Sequence, residues 1–237
     1  MKALLCDLDD TLLDYSGGQA TCWAESCAAV AGPAGLELPA LIRTVEEVGR
    51  WFWSDPDRQR RERTDMLGAW TKIAAAALER CGAGGDGLAS RMAADFADRR
   101  RAVMCLYPDA LITLERLRAR GVPLALVTNG DRRMQREKLE RFGLARYFDV
   151  IVIEGEFGAG KPDARVFRHA LATLDAAPAV SWMVGDHLEW DVAGAQAVGV
   201  RAAWLDRPGR GLPPASLARP DRIIRGLPEL LSLIEAG

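Results

Sequence analysis

From residue 108 onward, the chain alternates short apolar runs with helical patterns, and one further apolar run lies near its start. The runs are 3–6, 122–127, 149–153 and 180–184, with weaker ones at 200–204 and 222–224. Strands that alternate with helices pair in parallel, and short continuous apolar runs are typical of strands buried on both faces. The pattern therefore predicts an α/β fold whose parallel sheet carries helices on both faces. In such a sheet, functional groups belong at the carboxyl ends of the strands.

Residues 15–106 interrupt this alternation with helical segments alone. The segments are predicted near 18–31, 38–53, 60–80 and 87–105, and the Gly-rich run 82–87 separates the last two. Further helices are predicted near 108–120, 131–142, 163–175, 189–198 and 227–235. We therefore predict a helical domain, 15–106, inserted into an α/β core formed by 1–14 and 107–237.

The net charge, the length of the apolar stretches and the cysteine spacing argue against nucleic-acid binding, membrane spanning and a disulfide framework. The 237-residue chain has a net charge of −2, so it has no global basic field that would attract nucleic acid or an anionic membrane. No apolar stretch approaches the roughly 18 residues of a membrane span. The five cysteines contain no CxxC pair and are interpreted as free thiols in a reducing compartment. These features predict a cytoplasmic protein.

Two aspartates follow the first apolar run, and their spacing indicates a functional role and not a structural one. Asp7 and Asp9 lie two residues apart, so extended backbone directs both side chains to one side of the chain. Crowded carboxylates repel each other, and such a pair is expected to hold a proton or to need a cation. The pair offers a carboxylate nucleophile, an acid/base group and part of a site for a hard divalent metal.

Two further motifs supply groups that bind phosphate. Thr128-Asn129-Gly130 closes the run 122–127, and Gly160-Lys161-Pro162 precedes a predicted helix. Lys161 can offset the repulsion between a carboxylate and a phosphate monoester. The Thr128 hydroxyl and the amides of Asn129 and Gly130 can donate to phosphate oxygens. These residue types are the ones that phosphoryl transfer requires.

A fourth motif, Gly185 to Asp191, closes the run 180–184 and adds carboxylates. Asp186 can complete an oxygen-rich Mg²⁺ site with Asp7, and Asp191 can orient Lys161 or a metal-bound water. His187 is a poor ligand for such a hard-oxygen site and is interpreted as a neighbouring or substrate-facing group. Glu189 can support the metal site through a water or face solvent, and the sequence leaves both alternatives open.

The four motifs, in this order and each at a strand end, resemble those of the haloacid dehalogenase-like (HAD) hydrolase superfamily. The resemblance covers 1–14 and 107–237 and implies a Rossmann-like core, and the insertion is similar to that family's helical C1 cap. Within the superfamily, the chain resembles small-molecule phosphatases related to N-acylneuraminate-9-phosphatase and phosphoglycolate phosphatase. A cap of this kind is expected to close over the substrate, exclude bulk water and select the leaving group.

The resemblance implies a two-step reaction on a small phosphorylated metabolite. Asp7 would attack phosphorus, and Asp9 would protonate the leaving oxygen and then deprotonate the water that hydrolyses the aspartyl-phosphate. Mg²⁺ would bind Asp7, the main-chain carbonyl of Asp9, and Asp186. Haloacid dehalogenases of this superfamily lack the second acid because halide leaves without a proton, so Asp9 favours phosphoester chemistry.

Two alternatives remain open from the sequence. A phosphomutase uses the same aspartyl-phosphate but returns the phosphoryl group to a sugar. The second alternative is a non-catalytic binding module on a phosphatase scaffold. Such a module would have no need to keep Asp7, Asp9, Lys161 and Asp186 together. The sequence leaves the substrate open and is compatible with a monomer or a homodimer.

Overall fold

The computed structural model describes residues 1–85 and 87–235, which divide into two compact units. The sheet unit comprises Met1–Tyr15 and the residues from Cys105 onward, and the helical unit comprises Ser16–Met104. Asp86, in the predicted Gly-rich break, and residues 236–237, in the predicted core, lie outside the described residues.

The sheet unit is built on a parallel sheet with the strand order β5-β4-β1-β6-β7-β8. Its strands are β1 Ala3–Cys6, β4 Leu124–Thr128, β5 Val150–Ile153, β6 Ser181–Gly185, β7 Arg201–Leu205 and β8 Arg222–Ile224. Every pairing within it is parallel, with β1 between β4 and β6. β1, β4 and β6 are buried along their whole length, which explains their continuous apolar sequences. The predicted α/β fold is confirmed, and each of the six apolar runs forms a strand.

A second, very short strand pair was not expected from the sequence. β2 Leu13–Asp14 pairs antiparallel with β3 Cys105–Leu106. The expectation that no strand lies between β1 and residue 122 is therefore wrong. Strands of two residues carry no measurable alternation of polar and apolar side chains, so periodicity cannot reveal them.

The helical unit contains five helices within its described residues. They are α1 Gln19–Ala31, α2 Leu38–Trp53, α3 Pro56–Glu62, α4 Met66–Arg80 and α5 Leu88–Val103. Phe96 stacks on Trp23 with ring centroids 3.8 Å apart and meets the edge of Trp70 at 5.1 Å, at the centre of this unit. The predicted helix over 60–80 is wrong, because Asp65 accepts a hydrogen bond from the Gly68 N–H and starts α4 as a separate helix.

The remaining helices of the sheet unit lie in the segments that connect its strands or follow the last strand. They are α6 Ala110–Ala119, α7 Arg132–Arg141, α8 Glu154–Phe157, α9 Ala164–Thr173, α10 Gly194–Gln196 and α11 Ser232–Glu235. Phe167 of α9 packs into a cluster with Leu5, Val127 and Met183, so this helix rests on the three central strands. The helix predicted near 189–198 is a π-helical segment, Leu188–Ala193, that continues into α10.

Among the described residues, none of the helices has the length and apolar character needed to cross a membrane.

Candidate active site

Three neighbouring strands bring the polar groups predicted from the sequence to one edge of the sheet. Asp7 follows β1 directly, Thr128 is the last residue of β4, and Asp186 follows β6. Because these strands are parallel and adjacent, their carboxyl ends meet at this edge. Asp7 and Thr128 are buried, so their polar groups act in a site that is largely shielded from bulk water.

Lys161 occupies the centre of this edge. Its Nζ lies 2.5 Å from Asp7 Oδ1 and 2.6 Å from Asp191 Oδ1, and all three side chains are buried. Burial alone would lower the pKa of Lys161, but the carboxylates of Asp191 and Asp7 outweigh that effect and raise it. The ammonium group is therefore a permanent positive charge beside the Asp7 carboxylate.

The Asp7 carboxylate is held at both oxygens. Besides the bond to Lys161, its Oδ2 accepts a hydrogen bond of 3.1 Å from the Thr11 hydroxyl. Burial raises the pKa of Asp7 to about 7, and Lys161 opposes that rise while Asp191 adds to it. A carboxylate fixed in this way has one defined orientation towards whatever enters the site.

Asp191 is held by the loop that follows β6. Its Oδ2 accepts the backbone N–H of His187 at 2.9 Å, while its Oδ1 accepts Lys161. A Cβ at position 185 would collide with the Asp191 carboxylate, so only glycine fits there. His187 caps the π-helical segment, because its Nδ1 accepts the N–H of Trp190 at 3.2 Å and its ring stacks on that indole.

The loop after β4 holds Lys161 through Asn129. The Asn129 side chain donates to the Lys161 carbonyl at 2.9 Å and accepts the Lys161 N–H at 2.7 Å. The Gly130 N–H donates to Glu154 Oε2 at 2.9 Å. The expectation that the Gly130 amide binds a phosphate oxygen is therefore corrected, because a buried carboxylate already accepts that hydrogen atom.

Two residues that sequence reasoning missed surround Asp9. Lys138 Nζ lies 2.8 Å from both carboxylate oxygens of Asp9 and 2.7 Å from Gln135 Oε1. Gln135 Nε2 lies 3.1 Å from Asp9 Oδ2 and 2.6 Å from Thr128 Oγ1. Both residues lie on the buried face of α7, three positions apart. The available signal was this i, i+3 pair of polar residues in the helix that follows the Thr128 motif.

Asp7, Asp186 and Asp191 form a cluster that fits a divalent cation. Each offers an oxygen, and these atoms lie within 4.8 Å of one another. Both Asp191 oxygens already accept hydrogen bonds, whereas none of the described residues donates one to the Asp186 carboxylate. Burial, then Asp7 and Asp191, raise the pKa of Asp186 to about 9. Three carboxylates beside one ammonium leave excess negative charge, which a hard cation with oxygen ligands would offset.

The chain also matches the model of a known protein family. A family model described as haloacid dehalogenase-like hydrolase matches residues 1–199. The chain belongs to the haloacid dehalogenase-like hydrolases. The membership predicted from the four motifs is thereby confirmed, and with it the assignment as a hydrolase with a Rossmann-like core.

Similar proteins indicate which branch of the family the chain is related to. Phosphoserine phosphatase of Thermus thermophilus is 39% identical over 229 residues, with 87% of this chain and 89% of that protein covered. N-acylneuraminate-9-phosphatase of Rattus norvegicus is 38% identical over 134 residues, with 56% and 53% covered. The predicted resemblance to such phosphatases is confirmed, and the chain is a phosphatase-type HAD hydrolase.

A solved structure from a different branch has the same fold. The 2-haloacid dehalogenase from Pseudomonas syringae pv. Tomato DC3000 is 27% identical, with 100% of this chain and 99% of that chain covered and a TM-score of 0.68. Overall fold alone therefore does not separate phosphate chemistry from halide chemistry, and the distinction depends on the side chains of the site.

Proposed function

We propose that the protein hydrolyses a small phosphate monoester, with Mg²⁺ and through an aspartyl-phosphate on Asp7. The observation that carries this proposal is the position of the Lys161 ammonium between the Asp7 and Asp191 carboxylates, with Asp186 alongside. A buried cation beside a carboxylate nucleophile is what an attack by one anion on another requires.

In the first step, an oxygen of Asp7 forms a bond to phosphorus, and the bond from phosphorus to the leaving oxygen breaks. Lys161 stabilises the charge that accumulates on the equatorial oxygens, and the Thr128 hydroxyl and the Asn129 backbone N–H donate to them. Asp9 gives its proton to the leaving oxygen. In the second step, Asp9 takes a proton from water, the water oxygen attacks phosphorus, and Asp7 departs as a carboxylate.

The proposed metal ligands are Asp7, Asp186 and the main-chain carbonyl of Asp9. When bound, Mg²⁺ would neutralise part of the phosphate charge and orient the phosphoryl group. Asp191 is proposed to hold Lys161 rather than the metal, because its two oxygens accept Lys161 and the His187 N–H.

This assignment predicts how pH and Mg²⁺ change stability. The pKa of Asp186 is about 9 in the folded protein and near 3.8 otherwise, so between these values the folded state binds more protons than the unfolded state. Stability of the metal-free protein should therefore fall as pH rises through this window. Asp186→Asn removes the cost of ionising this carboxyl in the folded protein. We expect the substitution to raise the metal-free unfolding free energy at pH 8 by more than about 1 kcal/mol.

Urea unfolding at pH 5 and pH 8, with and without Mg²⁺, measures this effect. The stability gain of Asp186→Asn should be larger at pH 8 than at pH 5, and Mg²⁺ should stabilise the wild type more than the variant. Equal stabilisation of both proteins by Mg²⁺ would exclude Asp186 as a ligand.

Asp9 is the residue that favours a phosphate ester over a haloacid as the substrate. A phosphate ester needs a proton on its leaving oxygen, and the Asp9 carboxyl at the same strand end as Asp7 can supply it. We expect release of inorganic phosphate from at least one member of a panel that includes O-phosphoserine, N-acylneuraminate 9-phosphate, sugar phosphates and nucleoside monophosphates. We expect no halide release from 2-chloropropionate.

The same panel separates the alternatives. Interconversion of sugar phosphates without phosphate release would identify a phosphomutase. Failure on the whole panel and on p-nitrophenyl phosphate, in the presence of Mg²⁺, would instead favour a non-catalytic binding module. Asp9→Asn should slow the release of phosphate from alkyl phosphates by about 10²- to 10⁴-fold, which is the usual contribution of a general acid.

Substrate choice is proposed to reside in the helical insertion. We interpret this insertion, residues 15–106, as a cap domain, and residues 1–14 and 107–237 as the core domain. The four motifs lie in the sheet unit and would serve any phosphate ester. Selection among phosphorylated metabolites then needs residues from elsewhere in the chain. The cytoplasmic location, the absence of nucleic-acid and membrane partners, and the oligomeric state stay predictions.

A further inference from the structure

Lys138 has a buried ammonium group that the reaction proposed above does not use. Its side chain is 6% exposed, and its three N–H groups match three acceptors, which are the two oxygens of Asp9 and Gln135 Oε1. Its Nζ also lies 4.0 Å from the centroid of the Tyr15 ring. Burying a cation costs several kcal/mol, and an apolar residue of similar size would fill the same space. Stability alone therefore does not account for a lysine at this position.

The ammonium group fixes the direction of the neighbouring hydrogen bonds. Lys138 can only donate, so the carbonyl oxygen of Gln135 must face it, and the Gln135 amino group must face the other way. That amino group reaches Asp9 Oδ2 at 3.1 Å and Thr128 Oγ1 at 2.6 Å. Because an amide nitrogen only donates, the Thr128 oxygen is the acceptor in this bond.

The Thr128 hydroxyl hydrogen is thus left for another acceptor. In the structure Thr128 Oγ1 donates to the Asn129 carbonyl oxygen at a distance of 3.4 Å, which is a long bond that a phosphoryl oxygen could replace. Lys138 acts on Thr128 through Gln135, and it acts on Asp9 directly.

The same bonds leave one position open on Asp9. Its Oδ2 accepts from both Lys138 and Gln135, whereas its Oδ1 accepts from Lys138 alone among the described residues. Each carboxylate oxygen has two lone pairs, so the second lone pair of Oδ1 is the one left open to a group that enters the site. The side chain is 24% exposed, which leaves room for a leaving group to approach.

We propose that Lys138 and Gln135 are positioning residues for Asp9, and this proposal rests on the proposed function. They fix the orientation of the Asp9 carboxyl, so that the open side of Oδ1 faces the position that the leaving oxygen would occupy. Once the Asp9 proton has moved to the leaving oxygen, the ammonium of Lys138 stabilises the carboxylate that remains. The carboxylate then accepts a proton from the water that attacks the aspartyl-phosphate.

The leaving-group dependence of the rate tests this role. The phenolate of p-nitrophenyl phosphate departs without a proton, whereas an alkyl alkoxide needs one. We expect Lys138→Met to lower kcat/KM for the best alkyl substrate of the panel by at least about tenfold more than kcat/KM for p-nitrophenyl phosphate. The kcat/KM values report the steps up to leaving-group departure, so slow hydrolysis of the intermediate does not hide the effect.

Three further variants make the test specific. Lys138→Arg keeps the charge and the donors and should restore part of the alkyl rate. Arg133→Met removes an exposed cation from the same helix and should leave both rates within about twofold of wild type, as surface changes usually do. If Lys138→Met does not fold, as judged by thermal unfolding, Lys138→Gln provides the same comparison because it keeps an N–H donor without the charge.

The outcomes separate the two proposals. An equal loss on alkyl and aryl phosphates, or no loss, overturns the positioning role of Lys138 while the phosphatase function stands. A wild-type protein that releases phosphate from no substrate of the panel overturns the proposed function itself. A selective loss on alkyl phosphates, with partial recovery in Lys138→Arg, supports both proposals.

Discussion

Asp7→Asn is expected to lower turnover by at least about 10⁴-fold while leaving the fold intact, since Asp7 is the proposed nucleophile and the proposed covalent route is lost without it. Asparagine has the same shape as aspartate, so Lys161 can still donate to its Oδ1 and to Asp191. The variant also removes one of three carboxylates crowded around a single ammonium group. Phosphate release with saturating Mg²⁺ measures the loss of turnover, and thermal unfolding measures the stability of the fold.

A matched control comes from the neighbouring residue Asp10. Its φ of 57° lies in the left-handed region, which asparagine also tolerates. Its Oδ1 accepts the Tyr15 N–H, and an asparagine side-chain oxygen can accept the same hydrogen bond. Asp10→Asn should therefore retain activity within a few-fold of wild type. Magnesium-dependent turnover at the wild-type rate in Asp7→Asn would show that the nucleophile has been assigned to the wrong residue.

The proposed aspartyl-phosphate provides a second, independent readout of Asp7. In Asp9→Asn, p-nitrophenyl phosphate can still phosphorylate Asp7, because its leaving group needs no proton, but the hydrolysis of the intermediate lacks a base. Acid quenching followed by intact-mass measurement should find one phosphoryl group on this variant. The double variant Asp7→Asn/Asp9→Asn should carry none.

The sheet was predictable because its central strands are buried on both faces. A strand such as Leu124–Thr128 must be apolar at nearly every position, and a continuous apolar run is visible in the sequence without knowledge of the fold. The parallel arrangement and the position of the site then follow from the alternation of strands with helices. Family resemblance and strand order together were enough to place Asp7, Thr128, Lys161 and Asp186 at one edge.

The elements that were missed depend on contacts that a linear pattern does not contain. The break between α3 and α4 is set by one side-chain cap at Asp65, within a charged run that otherwise favours helix. The Gly130 amide was assigned to phosphate because nothing in the sequence places Glu154 against it.

Lys138 lies on the helix that follows β4, remote in sequence from Asp9 at the end of β1, so its pairing with Asp9 emerges only once the strands are adjacent. Electrostatic partners of a catalytic group are the part of a site that sequence motifs specify least, because their spacing varies with the fold around them.

Lys161→Met is expected to cost more stability than the other substitutions discussed, and to lower kcat as well. Its side chain is 2% exposed and donates to two buried carboxylates, so its removal leaves charges without a counter-ion in a site shielded from water. Breaking a buried ion pair by removing one partner typically costs about 3–5 kcal/mol. Loss of one stabilising donor from an active site typically lowers kcat by about 10²- to 10³-fold.

The destabilisation should depend on pH. Without Lys161, burial would no longer be opposed and the pKa of Asp7, already about 7, would rise further. Protonating the folded state relieves the unpaired charge, so the stability loss should be smaller at pH 5 than at pH 8. Urea unfolding of wild type and variant at both pH values, without metal, measures this difference.

The double variant Lys161→Met/Asp191→Leu separates stability from catalysis. Asp191 is the other buried carboxylate that Lys161 contacts, and replacing both members of an ion pair by apolar groups is often neutral or stabilising. The double variant should therefore regain most of the unfolding free energy lost in Lys161→Met, yet regain no activity, because the ammonium beside Asp7 is still missing. Recovery of activity along with stability would mean that Lys161 supports the fold only, and that another group stabilises the charge of the reacting phosphate.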